Sequence, residues 1–427
     1  MERFFGIFGI LAILFIAYLL SNNKSRINWY TIFSGLALQL ALALFILKTT
    51  IGQKIFHAIG VGIDRLLVFS DAGGDFVFGA LTKMNLLHHE VFGDYGAYLF
   101  ALKLIPTIIF IAILVNIAYH LGLMQRIVSF IAKIVYKIMR VSGSEALSNV
   151  SSAFVGQVEA QLMIKPYVPT MTNSELLASM TGSMACIAGG VMAVYIGMGV
   201  PAEYLLTASI MAAPGALVIS KLVYPETKKS ETRGSIELDV KQNYVNLLDA
   251  IAQGASEGMK ISINVIAMLI GFIALIAMIN AILGKFGLFV FHYTGIEHIL
   301  GMDMQAFSLK SILGTVFSIF AFLMGVPFAE ASQVGGLMGT KLVINEFVAY
   351  TDLLPMIKAG QLSPRSIVIA TFALCGFANF GSIAIQVGGI GEIAPNRKED
   401  LARLGLKALI CGTLASYMSA TIAGIIF

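Results

Sequence analysis

Phe154-Val-Gly-Gln-Val-Glu-Ala160 sets a glycine, an amide and a carboxylate side by side in apolar surroundings. Gly156 permits a break in a helix, and Gln157 and Glu159 supply polar atoms beside it. Two short helices meeting at such a break leave unpaired backbone N–H and C=O groups that can serve a ligand. At membrane depth, non-helical backbone of this kind is tolerated only where it lines protein or water.

That the depth is membrane depth follows from the rest of the chain. Of 427 residues, 58% are hydrophobic and 12% charged, against roughly 45–50% and about 25% in soluble domains. The 24 acids and 28 bases cannot coat several globular surfaces, and the mean hydropathy is +0.86. Apolar runs long enough to cross about 30 Å of hydrocarbon start near Phe4, Thr31, Tyr98, Leu176, Leu205, Ser262, Ile367 and Leu404. The fold class is therefore an all-α integral membrane protein of about eight transmembrane helices. The run from Phe4 to Leu20 has no weighty basic region before it and no small-residue cleavage site, so it reads as an uncleaved first span.

Basic residues give the orientation. Lys24 and Arg26, the group Arg126 to Arg140, the group Lys228 to Arg233, and Arg397 to Arg403 all fall on one side if the N-terminus is outside. Eight crossings then leave Phe427 outside as well. From Leu123 to Arg140, polar residues recur every three or four positions, which describes an interfacial amphipathic helix. Gln53 to Phe69 is a weaker version, and the stub of a long tilted span is the plainer alternative for both. Pro225 to Asn243 is the long polar run and reads as a flexible, solvated linker.

The halves on either side of that linker repeat one order of features. Ser144-Glu145-Ala146, then Glu159, then a span holding Cys186-Ile-Ala-Gly-Gly190 is answered by Ala329-Glu330-Ala331, Glu346, and a span holding Cys375-Gly-Phe-Ala-Asn-Phe-Gly-Ser382. The copies enter from opposite sides, which is an inverted-topology repeat, the build of many secondary transporters.

Acids at membrane depth face a cavity or a partner. Glu159, Glu330 and Glu346 qualify, and the plainer reading of each is a salt bridge, with Lys165 or Lys341 as candidate partners. Around Gly376 and Gly381, residues Phe377, Asn379 and Ser382 suggest unwound backbone offering an amide and a hydroxyl to a polyhydroxylated solute. Helix packing through small residues is the alternative there. Cys186, Cys375 and Cys411 make neither a disulfide framework nor a CxxC metal site. The His88-His89-Glu90 run reads as a wet loop. Gly388-Gly389-Ile390-Gly391 lacks the βαβ context of a dinucleotide fingerprint. No basic, aromatic-interleaved patch suits nucleic acid.

At these residues the sequence resembles the concentrative nucleoside transporter (CNT) family, as a bacterial-type member. The matching elements are Gly156-Gln-Val-Glu159, Lys165-Pro-Tyr-Val-Pro169, Ile187-Ala-Gly-Gly190, Gly339-x-Lys341-x3-Asn345-Glu-Phe-Val-Ala-Tyr350, and Phe372-Ala-Leu-Cys-Gly-Phe-Ala-Asn379. They run in order over nearly the whole chain. The resemblance implies two re-entrant helical hairpins, interfacial helices and a homotrimer in the bacterial inner membrane, with both termini periplasmic. It implies ion-coupled nucleoside import by alternating access, a substrate-carrying domain moving elevator-like against a trimeric scaffold. The expected units are 1–121 (N-terminal scaffold spans and interfacial helix), 122–224 (first repeat), 225–245 (cytoplasmic linker), 246–304 (scaffold span) and 305–427 (second repeat).

Carried over by position, Gln157, Val158 and Glu159 face the nucleobase, and Glu346 accepts from ribose hydroxyls beside Asn379 and Ser382. Val191, Ile261 and Phe377 wall the base. The family's G-Q-T-E or G-Q-S-E reads Gly156-Gln-Val-Glu159 here, which removes a hydroxyl beside the base. The family's sodium site falls on the side chains of Ser152 and Cys186 and the carbonyls of Val155 and Ile187. A thiol is a poor ligand for a hard cation, and serine is shorter than the family's asparagine. These departures predict weakened sodium dependence, with proton coupling through a buried acid as the alternative; no other cofactor is expected. A carrier for a nucleobase or sugar is the second reading. A membrane enzyme with Glu159 and Glu346 as an acid/base pair has no nucleophile, metal cluster or cofactor motif to support it.

Overall fold

The computed structural model describes residues 2–79, 100–233, 244–300 and 302–427. The His88-His89-Glu90 run, the first residues of the span expected from Tyr98, and residues 234–243 of the linker lie outside these. Helices occupy all eight places where a span is expected. They are α1 (Glu2–Leu19), α2 (Trp29–Lys48), α4 (Phe100–His120), the interrupted pair α8 (Asn173–Ala185) and α9 (Gly189–Met198), α10 (Ala202–Val223), α11 (Leu247–Thr294), the interrupted pair α15 (Pro364–Leu374) and α16 (Phe380–Ile393), and α17 (Lys398–Ile426). The weaker amphipathic stretch lies in a single helix, α3 (Thr50–Phe78).

The basic amphipathic stretch is α5 (Leu123–Met139), which turns 76° from α4. Val128, Ala132, Val135 and Met139 are buried, while Arg126, Lys133, Lys137 and Arg140 stay exposed. This is the amphipathic pattern that the spacing predicts.

Two helix pairs enter and return. The first is α6 (Gly143–Ser152) with the short α7 (Glu159–Leu162). The second is α13 (Phe328–Val343) with α14 (Glu346–Lys358), entered from α12 (Leu309–Leu323) through a 117° bend. The bend falls at Met324–Pro327, where proline's missing N–H suits a helix start. Local capping explains the breaks. Ser142 and Glu145 form a reciprocal capping box on α6, and Thr172 and Glu175 another on α8. Asn345 accepts from the Val348 amide and so opens α14 immediately after α13 ends.

Burial separates two bodies. The membrane windows of α10 and α17 are each 89% buried, and that of α11 only 6%. The spans α1, α2, α8, α10, α15 and α17 pack together with both hairpins, so α1 and α2, expected among the scaffold spans of 1–121, lie with the hairpins, while α4 pairs with α11. That pairing is close because of small residues. A Cβ on Gly254 would lie 2.7 Å from Ile113 Cα, and one on Gly258 2.6 Å from Ile109 Cα.

The polar run after α10 departs from the sequence reading. Residues 225–233 fold back over the base of the first hairpin instead of floating as a linker. Ser230 and Thr232 are buried; Ser230 donates to Glu175 at 2.5 Å, and Thr232 shares a 2.9 Å hydrogen bond with Ser144. Lys221 pairs with Glu145 and lies 3.6 Å from Glu226. The cause is the two capping boxes, whose carboxylates attract hydroxyl and ammonium donors that composition alone does not locate.

Candidate functional site

Both interrupted spans break where glycine and small residues concentrate, and their breaks meet. Gly376 has φ +122°, a region favouring glycine, and a Cβ there would lie 2.6 Å from the Ala185 carbonyl oxygen. The Phe377 amide then donates to the Cys186 carbonyl at 3.3 Å. Gly376→Ala should combine backbone strain with a backbone clash, a cost of about 2–4 kcal/mol. The three cysteines are buried, so unfolding followed with a thiol-reactive dye should show a midpoint lowered by several degrees. An unchanged midpoint would mean the crossing of the breaks does not hold the bundle.

From that crossing, Asn379 caps α16. Its side-chain oxygen accepts from the Ser382 amide at 2.9 Å, and its Nδ2 donates to Glu346 Oε2 at 3.3 Å. Glu346 is only 5% exposed and sits in the first turn of α14, where a helix N-terminus favours negative charge. Its other oxygen accepts from Tyr195 Oη at 2.9 Å. The carboxylate also accepts from the Glu346 amide, and with about four lone-pair sites it keeps acceptor capacity for a ligand hydroxyl. Tyr195 is itself fixed between Phe347 and Tyr350, with ring centroids 5.8 and 4.7 Å away.

The first hairpin reaches this group through Gln157. Its Nε2 donates to Ser382 Oγ at 3.5 Å, and its Oε1 accepts from Gln386 Nε2 at 3.3 Å. Gln386 also donates to the Met180 carbonyl at 3.2 Å, joining α16 to α8. Val158 lies against Gly389, where an added Cβ would come within 2.5 Å of it. That contact accounts for Gly389 within the 388–391 run. Val191, in the first turn of α9, and Phe377 are both half-buried beside the crossed breaks. Ile261 stands apart on α11 at 36% exposed.

Glu159 is exposed, folded over Gly156, and accepts from the amides of Val158 and Glu159. Its electrostatic neighbours are Tyr119 on α4 and Glu257 on α11, so it faces the second body. It does not meet Glu346 directly; Gln157 carries the connection between the hairpins. Glu330 caps α15 instead, accepting from the Ser363 amide and hydroxyl at 3.1 and 3.0 Å. Lys341 is buried and donates to the Ala373 carbonyl at 2.8 Å. Among the described residues, neither Lys165 nor Lys341 forms the salt bridge weighed for these acids.

At the positions matched to a sodium site, Ser152 Oγ donates to the Ser148 carbonyl at 2.8 Å and shares a 3.0 Å hydrogen bond with Ser183. The Cys186 thiol is turned toward the Ser209 carbonyl, 3.8 Å away. Val155 is buried at the end of the first hairpin's entering helix, and Ile187 lies in the break after α8. Ser152 Oγ gives its hydrogen to a carbonyl and keeps lone pairs, whereas the Cys186 sulfur is a soft atom that suits a hard cation poorly.

Sequence reasoning missed Tyr195, Gln386, Glu257 and Asn116, whose Nδ2 donates to Glu257 at 2.8 Å. Gln386 had a signal: it lies four residues after Ser382 and seven after Asn379, on one face of a helix. Tyr195 had only its hydroxyl in an apolar run.

Three family models cover the chain in order. Na+ dependent nucleoside transporter N-terminus matches residues 8–81, nucleoside recognition matches 101–202, and Na+ dependent nucleoside transporter C-terminus matches 204–424. A transporter of Bacillus subtilis, YutK, is 43% identical over 99% of both chains. The nucleoside permease NupC of Helicobacter pylori is 37% identical over 99% of this chain and 97% of its own. The solved structure of CNTnw in an inward-facing, substrate-bound state superposes with a TM-score of 0.90 at 41% identity, covering 100% of this chain and 98% of that one. A doubly substituted CNTnw in an outward-facing state gives 0.91 at 40% identity, with the same coverage.

Proposed function

The chain belongs to the Na+ dependent nucleoside transporter family, and on that premise we propose how it recognises and carries a nucleoside. It is a multi-pass membrane transporter, not an enzyme, and it works by alternating access. The observation that carries the reading is Glu346, a carboxylate buried at the start of α14 with both oxygens oriented by Tyr195 and Asn379. Ribose hydroxyls donate to it, making charge-assisted hydrogen bonds. Gln157 and Glu159 meet the base from the first hairpin, Asn379 and Ser382 flank the sugar, and Val191 and Phe377 supply apolar walls. Val158 seats the hairpin on α16. Ile261 joins the wall from α11 when the two bodies slide.

The body holding both hairpins moves elevator-like against α4 and α11. The exposed apolar face of α11 meets lipid and the other copies of a homotrimer. Arg26, Arg140, Lys228 and Arg233 line one pocket, and Arg397 donates to the Val168 carbonyl and to Asn173 nearby. This end is cytoplasmic by the distribution of positive charge. Gly6 lies against Ile425, and α17 runs 29 residues away from Arg397, so both termini are periplasmic in an inner-membrane protein. Sodium couples weakly here, because Ser152 and Cys186 are poor ligands for it, and a proton carried by a buried acid of the site is the alternative coupling ion.

Uptake into proteoliposomes tests the substrate assignment. Unlabelled uridine should compete fully with labelled uridine, while 2′,3′-dideoxyuridine should be weaker by about a hundredfold or more, since a site built for hydroxyls is left with unpaired acceptors. Equal competition by the two would remove the ribose role of Glu346 and favour a nucleobase carrier.

A further inference from the structure

At the basic end of the molecule a pocket of about 250 Å³ opens between the α1–α2 turn, the end of α5 and residues 225–233. Five basic side chains line it against two carboxylates, Glu145 and Glu226. Lys221 already engages both acids. The other four, Arg26, Arg140, Lys228 and Arg233, have no carboxylate within ion-pair distance among the described residues. Like charges gathered around one cavity repel one another, and that arrangement is stabilised by an anion between them.

One of these cations at the pocket wall is fixed by the backbone and an aromatic ring. Arg140 has φ +53°, in the left-handed region where a side chain other than glycine is strained. This ends α5 and stacks the guanidinium 4.3 Å from the centre of the Tyr30 ring. Trp29, Phe33, Ile134 and Ile138 are exposed apolar side chains on α2 and α5, the helices whose ends border the pocket, a surface suited to acyl chains.

We propose that this pocket binds the phosphate group of an anionic ligand, with Arg140 and Arg26 as its principal donors and Arg233 closing over it. Guanidinium matches phosphate oxygens two at a time. The same chemistry is offered by an anionic phospholipid headgroup and by free phosphate. Residues 225–233 are hydrogen-bonded to the base of the first hairpin through Ser230 and Thr232. An anion held there fastens the hairpin's base to α2 and α5.

The test is binding to the purified, full-length protein in detergent, read by native mass spectrometry. Probes are phosphatidylglycerol, phosphatidylcholine and inorganic phosphate. Arg26→Gln/Arg140→Gln/Arg233→Gln is compared with wild type, and Arg403→Gln, whose side chain pairs with Glu399 at the surface, controls for loss of a cation outside the pocket. Phosphatidylglycerol should bind at least about tenfold more tightly than phosphatidylcholine, and the triple variant should lose that preference while Arg403→Gln keeps it. If inorganic phosphate instead binds wild type and spares the lipid, the site takes the free ion and the chemistry stands. Equal binding of both lipids and no phosphate adduct in wild type would overturn the proposal. So would an unchanged preference in the triple variant. Should the triple variant not fold, Arg233→Gln alone decides, because that exposed side chain has no ion-pair partner here and must still cost part of the preference.

Discussion

Glu346→Gln should reduce uridine uptake by roughly a hundredfold. The substitution keeps the shape of the side chain and its place in the first turn of α14, so a folded protein is expected. What it removes is charge. Tyr195 Oη and Asn379 Nδ2 each donate to one Glu346 oxygen. In the glutamine variant one of those positions becomes an NH2 group, which cannot accept from the donor facing it. Losing a charged, buried hydrogen-bond partner costs about 3 kcal/mol, and roughly 1.4 kcal/mol is a factor of ten. A second comparison isolates the ribose. In wild type, 3′-deoxyuridine should be transported far more slowly than uridine. In the variant the two should converge, because the interaction that told them apart is gone, and the coupling between the two changes measures it. Uptake within threefold of wild type by a variant with normal thermal stability would remove Glu346 from the site.

How much of this was open to a reader of the sequence depends on the range of each interaction. Breaks are local: Gly156 between α6 and α7, and Cys375–Asn379 between α15 and α16, are set by glycine and by a capping asparagine a few residues away. Those were legible, as was the polar face of α5, because the period of a helix is written into spacing. Long-range partners were not. The hydrogen bond from Tyr195 to Glu346 spans 151 positions, and that from Gln386 to Gln157 spans 229. Nothing in the spacing says that Lys341 will satisfy a carbonyl while a tyrosine serves the carboxylate. The run 225–233 misled for a related reason. Its composition is that of a solvated linker, and the Glu175 carboxylate and the Ser144 hydroxyl, dozens of residues upstream, give its hydroxyls somewhere to go.

The second large effect is a gain. Ser152→Asn combined with Cys186→Ser should convert a shallow sodium response into a steep one, with uptake at fixed pH and membrane potential rising about tenfold between sodium-free and sodium-rich media. Sodium is a hard ion that binds through oxygen, and a neutral thiol offers it little. In this chain the Ser152 hydroxyl is already committed to the Ser148 carbonyl and to Ser183, and the Cys186 thiol faces the Ser209 carbonyl. Asparagine adds one bond of reach and a carbonyl oxygen with two lone pairs, and serine replaces sulfur with oxygen. Both changes are needed, since each alone leaves one weak side-chain donor beside the backbone carbonyls of Val155 and Ile187. The control is the wild type under an imposed proton gradient without sodium, which should drive accumulation that the double variant no longer requires. If unmodified protein already accumulates uridine tenfold better with sodium at constant pH, the backbone carbonyls suffice by themselves and the two side chains were never the limiting donors.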